Sequence, residues 1–329
     1  RLKGMVQARY IFNRREQDGV DDTRSGFEDC RTRFSFSGHV VDPTWQFMIW
    51  TGHHCNGDEL LLDVWVKKTL GEGWSVTAGQ FKIPLFREWL VSETKQQFVE
   101  RSLVNGLFSG GYTQGVKVDY GNENFRGTLA FTDGVTAQNT PWSTVDSDYA
   151  FTGRGELLLA GDWKQYAEFE SWTDEQFMAV LGAAAHYQMG EYGTTVDEAQ
   201  IIRWTVDGTL EFGGANLFAA VVGSQTNNGV DLDQIGALVQ GGVFLTEKLE
   251  LIARYEWGDA DSATDPTLSV LTVGANYFFA KHQLRLTADV SYAFDSVGAA
   301  WASGFAGYVP QLSGEEGQIV VRTQIQLVF

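Results

Sequence analysis

The sequence has little of three things: long apolar runs, clustered positive charge and proline. No stretch approaches the roughly 18 consecutive apolar residues of a membrane-spanning helix, which argues against a helical membrane protein. Lys and Arg number 24 against 42 Asp and Glu, without a basic cluster, so the chain lacks the footprint that nucleic acid requires. Five prolines beside 37 glycines and 13% aromatic residues exclude a disordered chain and indicate packed, turn-rich structure.

The formal charge of −18 is unevenly distributed along the chain. Acidic and basic residues nearly balance in residues 1–135, so the acidic excess belongs to the later part. The chain begins at Arg1 without an initiator Met or a signal peptide. We therefore expect a processed or trimmed start, which leaves room for a further N-terminal element.

What the sequence does contain is alternation with the period of two that is typical of β-strands. In residues 249–257, for example, Leu249, Leu251 and Tyr255 fall on one face and Glu250 and Arg254 on the other. Sixteen segments behave in this way. The predicted strands cover about 5–13, 28–40, 45–53, 60–70, 74–82, 113–120, 125–133, 149–160, 177–189, 201–212, 217–224, 234–245, 249–257, 268–279, 284–294 and 317–329.

The connections between these segments alternate as well. Short turns follow the even strands, and longer polar loops follow the odd ones. This plan, with aromatic residues near both strand ends, is typical of an outer-membrane barrel. We predict an all-β fold: one transmembrane antiparallel β-barrel of sixteen strands over residues 1–329. Residues 161–176 break the rule and could form a further strand pair, so eighteen strands is the alternative count, and a soluble β-sandwich is the alternative fold.

The third loop, residues 83–112, is too long for a hairpin connection and too apolar to extend into water. We expect it to fold into the lumen and to form a constriction. Within it the basic residues Arg87, Lys95 and Arg101 balance the acidic residues Glu88, Glu93 and Glu100, so the constriction can present both signs of charge.

If the polar strand faces point inward, the lumen wall is slightly basic. A basic wall lowers the barrier for anions, whereas the acidic loops oppose anion entry at low salt. The alternative is that inward Arg and Glu side chains pair across strands and only solvate the lumen. The basic wall residues are Arg9, Arg31, Arg33, Lys67, Lys117, Arg126, Arg154, Arg203, Arg254, Arg285 and Arg322.

The two cysteines are predicted to form a disulfide. The second and third strands form a hairpin centred between residues 42 and 43, which places Cys30 directly opposite Cys55 at bridging distance. A metal site with His53 and His54 is the disfavoured alternative, because adjacent residues of a strand point to opposite faces. We predict no metal.

No group of residues indicates catalysis. His39, His186 and His282 lie in separate strands and a turn, without a nucleophile or metalloprotease motif, so we predict neither an enzyme nor a cofactor.

Two stretches carry a family resemblance. They are "GQFKIPLFREWLVSETKQQFVERSL" from Gly79 to Leu103, which "GLFSGGYTQGVKV" follows, and "CRTRFSFSGHV" from Cys30 to Val40. These stretches resemble the phosphate-selective porins O and P. The resemblance implies a trimeric sixteen-stranded outer-membrane channel, with Lys82 and Arg101 near its narrowest point. Residues 191–200 contain no lysine, so the resemblance does not imply specificity for phosphate.

These patterns predict an outer-membrane porin for the passive diffusion of small hydrophilic solutes and ions. Lys82, Arg87, Lys95 and Arg101 would bias it toward anions. We expect a homotrimer in the lipid of the bacterial outer membrane, and small solutes or inorganic anions as its partners. The alternative function is a structural protein whose barrel anchors it in the membrane and whose other part holds the cell wall or a surface layer.

Overall fold

The structure, a computed structural model, describes the chain apart from residues 54–58, 145–146, 192–197, 228, 230, 263–266 and 316, and apart from the side chains of Cys30, Glu59, Glu191 and Glu198. Among the described residues, no helix has the length and the apolar character needed to cross a membrane.

Sixteen strands in the described part of the chain form one closed antiparallel sheet, as predicted. Each strand pairs with its neighbours in the sequence, and β1 pairs with β16 from Met5 opposite Val328 to Arg14 opposite Ile319. Two short helices, α1 (Arg87–Leu90) and α2 (Leu103–Phe108), lie between β5 and β6. The strands are β1 (Leu2–Gln17), β2 (Val20–His39), β3 (Trp45–His53), β4 (Glu59–Gly71), β5 (Trp74–Lys82), β6 (Tyr112–Gly121), β7 (Phe125–Thr132), β8 (Tyr149–Ala160), β9 (Met178–Glu191), β10 (Glu198–Glu211), β11 (Ala215–Asn227), β12 (Asp231–Phe244), β13 (Leu249–Asp259), β14 (Thr267–Ala280), β15 (Leu284–Ala293) and β16 (Ile319–Val328).

The two faces of the sheet differ in polarity in the sense opposite to that of a water-soluble barrel. Along β13, Glu250 and Arg254 are buried, whereas Leu251 and Tyr255 are exposed on the outer surface. Because side chains alternate across a closed sheet, the buried polar set faces the interior. The exposed apolar set is what a lipid environment stabilises.

Residues 161–177, between β8 and β9, form no strand pair, so the alternative count of eighteen strands is wrong. They contain one 3₁₀ turn, Gln165–Ala167, and we call them the aromatic turn. Their large side chains pack on the wall instead. Phe169 lies 5.0 Å from the ring of Phe218, and Trp172 lies 5.2 Å from the ring of Phe244. Packing of these aromatic side chains outweighs the strand pattern that the residues also carry.

The first hairpin is longer than predicted, because residues 14–17 belong to β1 and residues 20–27 to β2 rather than to a loop. Asp18 and Gly19 form the turn with positive φ angles of 53° and 71°, as a two-residue hairpin turn requires. Both faces of the extension are polar, so it shows no apolar alternation. Cross-strand ion pairs connect its strands, of Arg14 with Asp21 and of Arg15 with Asp22.

The predicted pairing of β2 with β3 is confirmed over the described residues. His39 lies opposite Gln46, and the same register continues to Arg33 opposite Gly52. Cys55 and the side chain of Cys30 lie outside the described residues, so their disulfide stays a prediction.

Candidate functional site

The connection between β5 and β6, residues 83–111, is the long segment of this structure. It is one residue shorter than the predicted loop, because Tyr112 begins β6. Ile83, Leu85 and Phe86 are fully buried. Ser102 caps α2, since its Oγ accepts a hydrogen bond of 2.8 Å from the backbone N–H of Asn105. The segment therefore has a packed local structure of its own.

The long segment contacts strands that lie far from β5 and β6 in the closed sheet. Near β1, Glu100 accepts a hydrogen bond of 3.0 Å from Arg9. On the side of the barrel opposite β5 and β6, Asn276 of β14 donates a hydrogen bond of 2.9 Å to the Gln97 carbonyl. The helix α2 lies against β12, where a Cβ on Gly236 would stand only 2.8 Å from the ring of Phe108. These contacts hold the segment against several parts of the wall at once.

The seven residues predicted at the constriction lie in or beside the long segment. Five of them are buried, whereas Lys82 and Lys95 are half-buried. Lys82 donates to the Trp89 carbonyl at 2.7 Å. Arg101 donates to the Val91 carbonyl at 2.9 Å. The basic residues Lys82 and Arg101 thus bind backbone carbonyls. The seven are Lys82, Arg87, Glu88, Glu93, Lys95, Glu100 and Arg101.

Arg87 connects the long segment to the aromatic turn. Its guanidinium lies 3.5 Å from the ring centroid of Tyr166 and 5.3 Å from that of Phe169. It also donates a hydrogen bond to the Tyr166 carbonyl. Stacking on two rings satisfies the delocalised charge of an arginine in a way that a lysine could not reproduce.

Glu100 and Glu93 carry the negative charge of the long segment. Burial would raise the pKa of Glu100, but Arg31 and Arg9 outweigh it and lower that pKa to about 2. Burial opposes ionisation of Glu93 too, and Arg33 and Arg31 hold its pKa below the ordinary value. Both carboxylates are therefore ionised at neutral pH and partly compensate the arginines beside them.

Most arginines of the predicted lumen wall have an acidic partner within the interior. Such pairs favour the alternative in which inward charges neutralise one another. They are Arg9 with Glu28 and Glu100, Arg31 with Glu100, Arg33 with Glu93, Arg154 with Asp207, Arg254 with Glu256, Arg285 with Glu170 and Arg322 with Asp289.

The remaining basic wall residues differ in their surroundings. Arg203 donates to the Phe108 carbonyl at 3.4 Å. Arg126 is exposed at the short-turn end and lies 4.2 Å from the ring of Trp163. Lys117 is 3.7 Å from Asp119. Lys67 has no ion-pair partner in the part of the chain that the structure describes.

Two cavities lie on either side of the long segment. The cavity toward the long loops, of about 250 Å³, is lined by Arg31, Arg33 and Arg101 together with Glu93 and Glu100. We call it the outer cavity. The cavity toward the short turns, of about 360 Å³, has Lys67, Lys82, Lys117 and Asp63 in its lining, and we call it the inner cavity. Two glutamates face three arginines in the outer cavity, whereas one aspartate faces three lysines in the inner cavity.

A protein-family model for the phosphate-selective porins O and P matches residues 2–293. The chain belongs to this family. It is an outer-membrane porin, and both family and fold indicate a channel rather than an enzyme. The membership favours the predicted channel over the structural anchor. Among curated proteins, none matches the sequence.

Solved structures similar to the porin have the same fold at low sequence identity. The anion-selective porin from Comamonas acidovorans aligns with a TM-score of 0.71 and 14% identity over 100% of this chain and 99% of the other. The in-vitro folded trimer form of OmpT, an outer-membrane protein of Vibrio cholerae, gives 0.67 and 12% over 100% and 98%. The outer-membrane channel DcaP of Acinetobacter baumannii gives 0.65 and 13% over 100% and 96%.

Sequence reasoning missed the contribution of the aromatic turn to the porin's interior. Tyr166, Phe169, Glu170 and Trp172 are buried, although residues 161–176 were predicted as a turn or a strand pair. The signal was present in the sequence. A connection at the short-turn end that is rich in aromatic residues needs apolar contacts, and only the interior or a neighbouring wall offers them.

Proposed function

We propose that this porin is an anion-preferring diffusion channel for small hydrophilic solutes, inorganic anions above all. In the proposal it works as a homotrimer surrounded by outer-membrane lipid. Two similar structures support this assignment, one titled an anion-selective porin and the other a trimer form. The lipid partner follows from the exposed apolar face of the barrel.

The long segment is proposed to be the constriction inside the lumen. Its support is the set of contacts that it makes across the closed sheet: it leaves β5 and returns to β6, yet it contacts Asn276 of β14 and Gly236 of β12 on the opposite side. A segment that starts on one side and contacts the other must pass through the space between them. Arg87, Glu88 and Glu93 then stabilise the segment. They contribute to selectivity only through the part of their electric field that their partners do not cancel.

The observation that carries the anion preference is the excess of lysine in the inner cavity. Lys67, Lys82 and Lys117 line it with Asp63, and Asp119, which lies 3.7 Å from Lys117 beside the cavity, leaves one lysine in excess. In the outer cavity, by contrast, Glu93 and Glu100 pair with the arginines beside them. An anion that leaves the outer cavity therefore gains a net favourable field on the far side of the long segment, and a cation meets a barrier.

The proposed anion path follows the sector of the wall from β2 to β6. Arg31 and Arg33 line the outer cavity, Lys82 contacts Trp89 between the cavities, and Lys117 lines the inner one. With buried arginines at the outer cavity and half-buried lysines beyond it, an anion can pass from one cation to the next without losing all of its favourable charge interactions.

A charge-reversal experiment tests the preference. Replacing Lys67 and Lys117 together by glutamate should lower the anion-to-cation permeability ratio at least about twofold, because two cations of the inner cavity become anions. The measurement is the reversal potential of purified trimers in a planar bilayer under a potassium chloride gradient.

Lys68→Glu is the matched control. Lys68 is adjacent to Lys67 but belongs to the other face of β4, where its Nζ lies 4.7 Å from the ring of Trp45. Its reversal should leave the permeability ratio unchanged. An equal effect of both replacements, or no conductance from the folded wild-type protein, would contradict the proposed function.

A further inference from the structure

Glu168 and Glu170 of the aromatic turn meet His282 of the β14–β15 turn at the short-turn end of the barrel. The imidazole Nε2 and one carboxylate oxygen of each glutamate lie within 4.8 Å of one another. The Nε2 atom of His282 contacts Glu168 Oε2 and lies 3.7 Å from Glu170 Oε2. The fold thus brings three potential metal-ligand atoms, from residues far apart in the sequence, close to one another.

The second oxygens of the two carboxylates have other partners, which orients the cluster. Glu170 Oε1 accepts a hydrogen bond of 2.8 Å from Arg285. Glu168 Oε1 lies 4.0 Å from Lys95 Nζ. Each glutamate therefore uses Oε1 for a cation of the protein and turns Oε2 toward the imidazole, as ligands with fixed outer partners do.

Two atoms of the cluster, Glu170 Oε2 and His282 Nδ1, have no hydrogen bond in the part of the chain that the structure describes. The side chain of Glu170 is 0% exposed. Arg285 compensates its other oxygen, but a buried carboxylate oxygen that neither water nor a donor contacts is still costly. Its position beside His282 indicates that a cation belongs in the space between them.

We propose that Glu168, Glu170 and His282 form a binding site for a divalent transition-metal ion of the Zn²⁺ class. Ligands around tetrahedral zinc, at bonds of about 2.0–2.1 Å, stand about 3.3 Å apart. The observed 3.7 Å between His282 Nε2 and Glu170 Oε2 is close to this spacing, whereas Glu168 Oε2, which contacts the imidazole, must move away from it to admit the ion. Imidazole nitrogen with carboxylate oxygens suits Zn²⁺, whereas Mg²⁺ and Ca²⁺ prefer ligands that are all oxygen.

The site is open to ions from the short-turn side. The side chains of His282 and Glu168 are 16% and 13% exposed, so an ion reaches two ligands directly while Glu170 closes the site from within. The bound ion bridges the aromatic turn to the wall, because two ligands come from residues 161–177 and the third from the turn after β14. Metal binding therefore stabilises the aromatic turn in its docked position.

Zinc binding to the detergent-purified, chelator-treated full chain, prepared without a histidine tag, tests the site. Equilibrium dialysis followed by elemental analysis should find one Zn²⁺ per chain, which an equal concentration of Mg²⁺ or Ca²⁺ does not displace. His282→Gln should weaken the binding about tenfold or more. Glu168→Gln is the second variant, because it changes the aromatic turn and leaves the wall untouched.

His39→Gln is the matched control. It removes another histidine at the short-turn end that lies outside the cluster, and it should bind Zn²⁺ as the wild type does. The proposal is overturned if the wild type retains no zinc, or if His282→Gln and Glu168→Gln both bind as tightly as the wild type while keeping the β-sheet circular dichroism spectrum. Neither readout requires an open channel.

Discussion

Charged side chains buried in pairs are the residues on which this porin's interior depends most. Arg322 of β16 and Asp289 of β15 form an ion pair of 2.6 Å in which both side chains are 0% exposed. Asp289 also accepts a hydrogen bond of 3.0 Å from the backbone N–H of Val99 in the long segment. One carboxylate thus compensates a buried arginine and holds the long segment.

Asp289→Ala should lower the free energy of unfolding by about 3–5 kcal/mol, because it leaves Arg322 buried without its ionic partner. Equilibrium unfolding in urea with lipid vesicles measures the change. Asp21→Ala is the control: its pair with Arg14 has side chains that are 50% and 67% exposed, so the loss should stay below about 1 kcal/mol. Equal losses for the two variants would contradict the role of burial.

At the scale of elements, two connections determine what the sheet encloses. The long segment arises from the side of the long loops, and the aromatic turn arises from the side of the short turns. Arg87 joins them through Tyr166. Phe169 holds the aromatic turn against the wall, since its ring packs on Phe218 of β11. The two connections therefore support one another and pack on a sheet to which neither of them belongs.

Phe169→Ala should loosen the aromatic turn and increase single-channel conductance. Removing a ring that is 1% exposed costs about 3–5 kcal/mol, which is enough to populate an undocked turn. The measurement is the conductance step in planar bilayers. Phe177→Ala is the control in the same segment, because Phe177 is 49% exposed. If the two variants conduct alike, the aromatic turn does not limit the channel.

The whole molecule carries a formal charge of −18 around an inner cavity that is basic. The acidic excess acts on anions from a distance, whereas the lysines of the inner cavity act at contact. Salt separates the two effects, since the Debye length falls from about 10 Å at 0.1 M to about 3 Å at 1 M.

The anion-to-cation permeability ratio should therefore rise when the mean potassium chloride concentration increases from 0.1 M to 1 M. Screening removes the repulsion of distant carboxylates before it weakens Lys67 and Lys117 in the narrow cavity. Reversal potentials at a constant tenfold gradient measure the ratio. A ratio that falls with salt would mean that screening weakens the attraction of the lysines more than the repulsion of the distant carboxylates, which would contradict the proposed role of the inner cavity.

The strands were predictable to within a few residues wherever one face was apolar. The bounds of β3, β5 and β8 are the predicted ones, because lipid on one side and a polar interior on the other impose a strict period of two. The extension of β1 and β2 was missed for the same reason. Around Arg14 and Asp21 both faces are polar, so the sequence shows no alternation of apolar and polar residues.

The sequence by itself determined sixteen of the strand positions, the antiparallel order, the polar interior and the identity of the long connection, and it left a further strand pair at residues 161–176 open. These follow from contacts between neighbours in the chain, which alternation and turn spacing encode. Only the tertiary structure decided which arginine meets which carboxylate, that the aromatic turn packs on the wall, and that Glu168, Glu170 and His282 converge. Those contacts join residues distant in the sequence, and closure of the barrel alone brings them together.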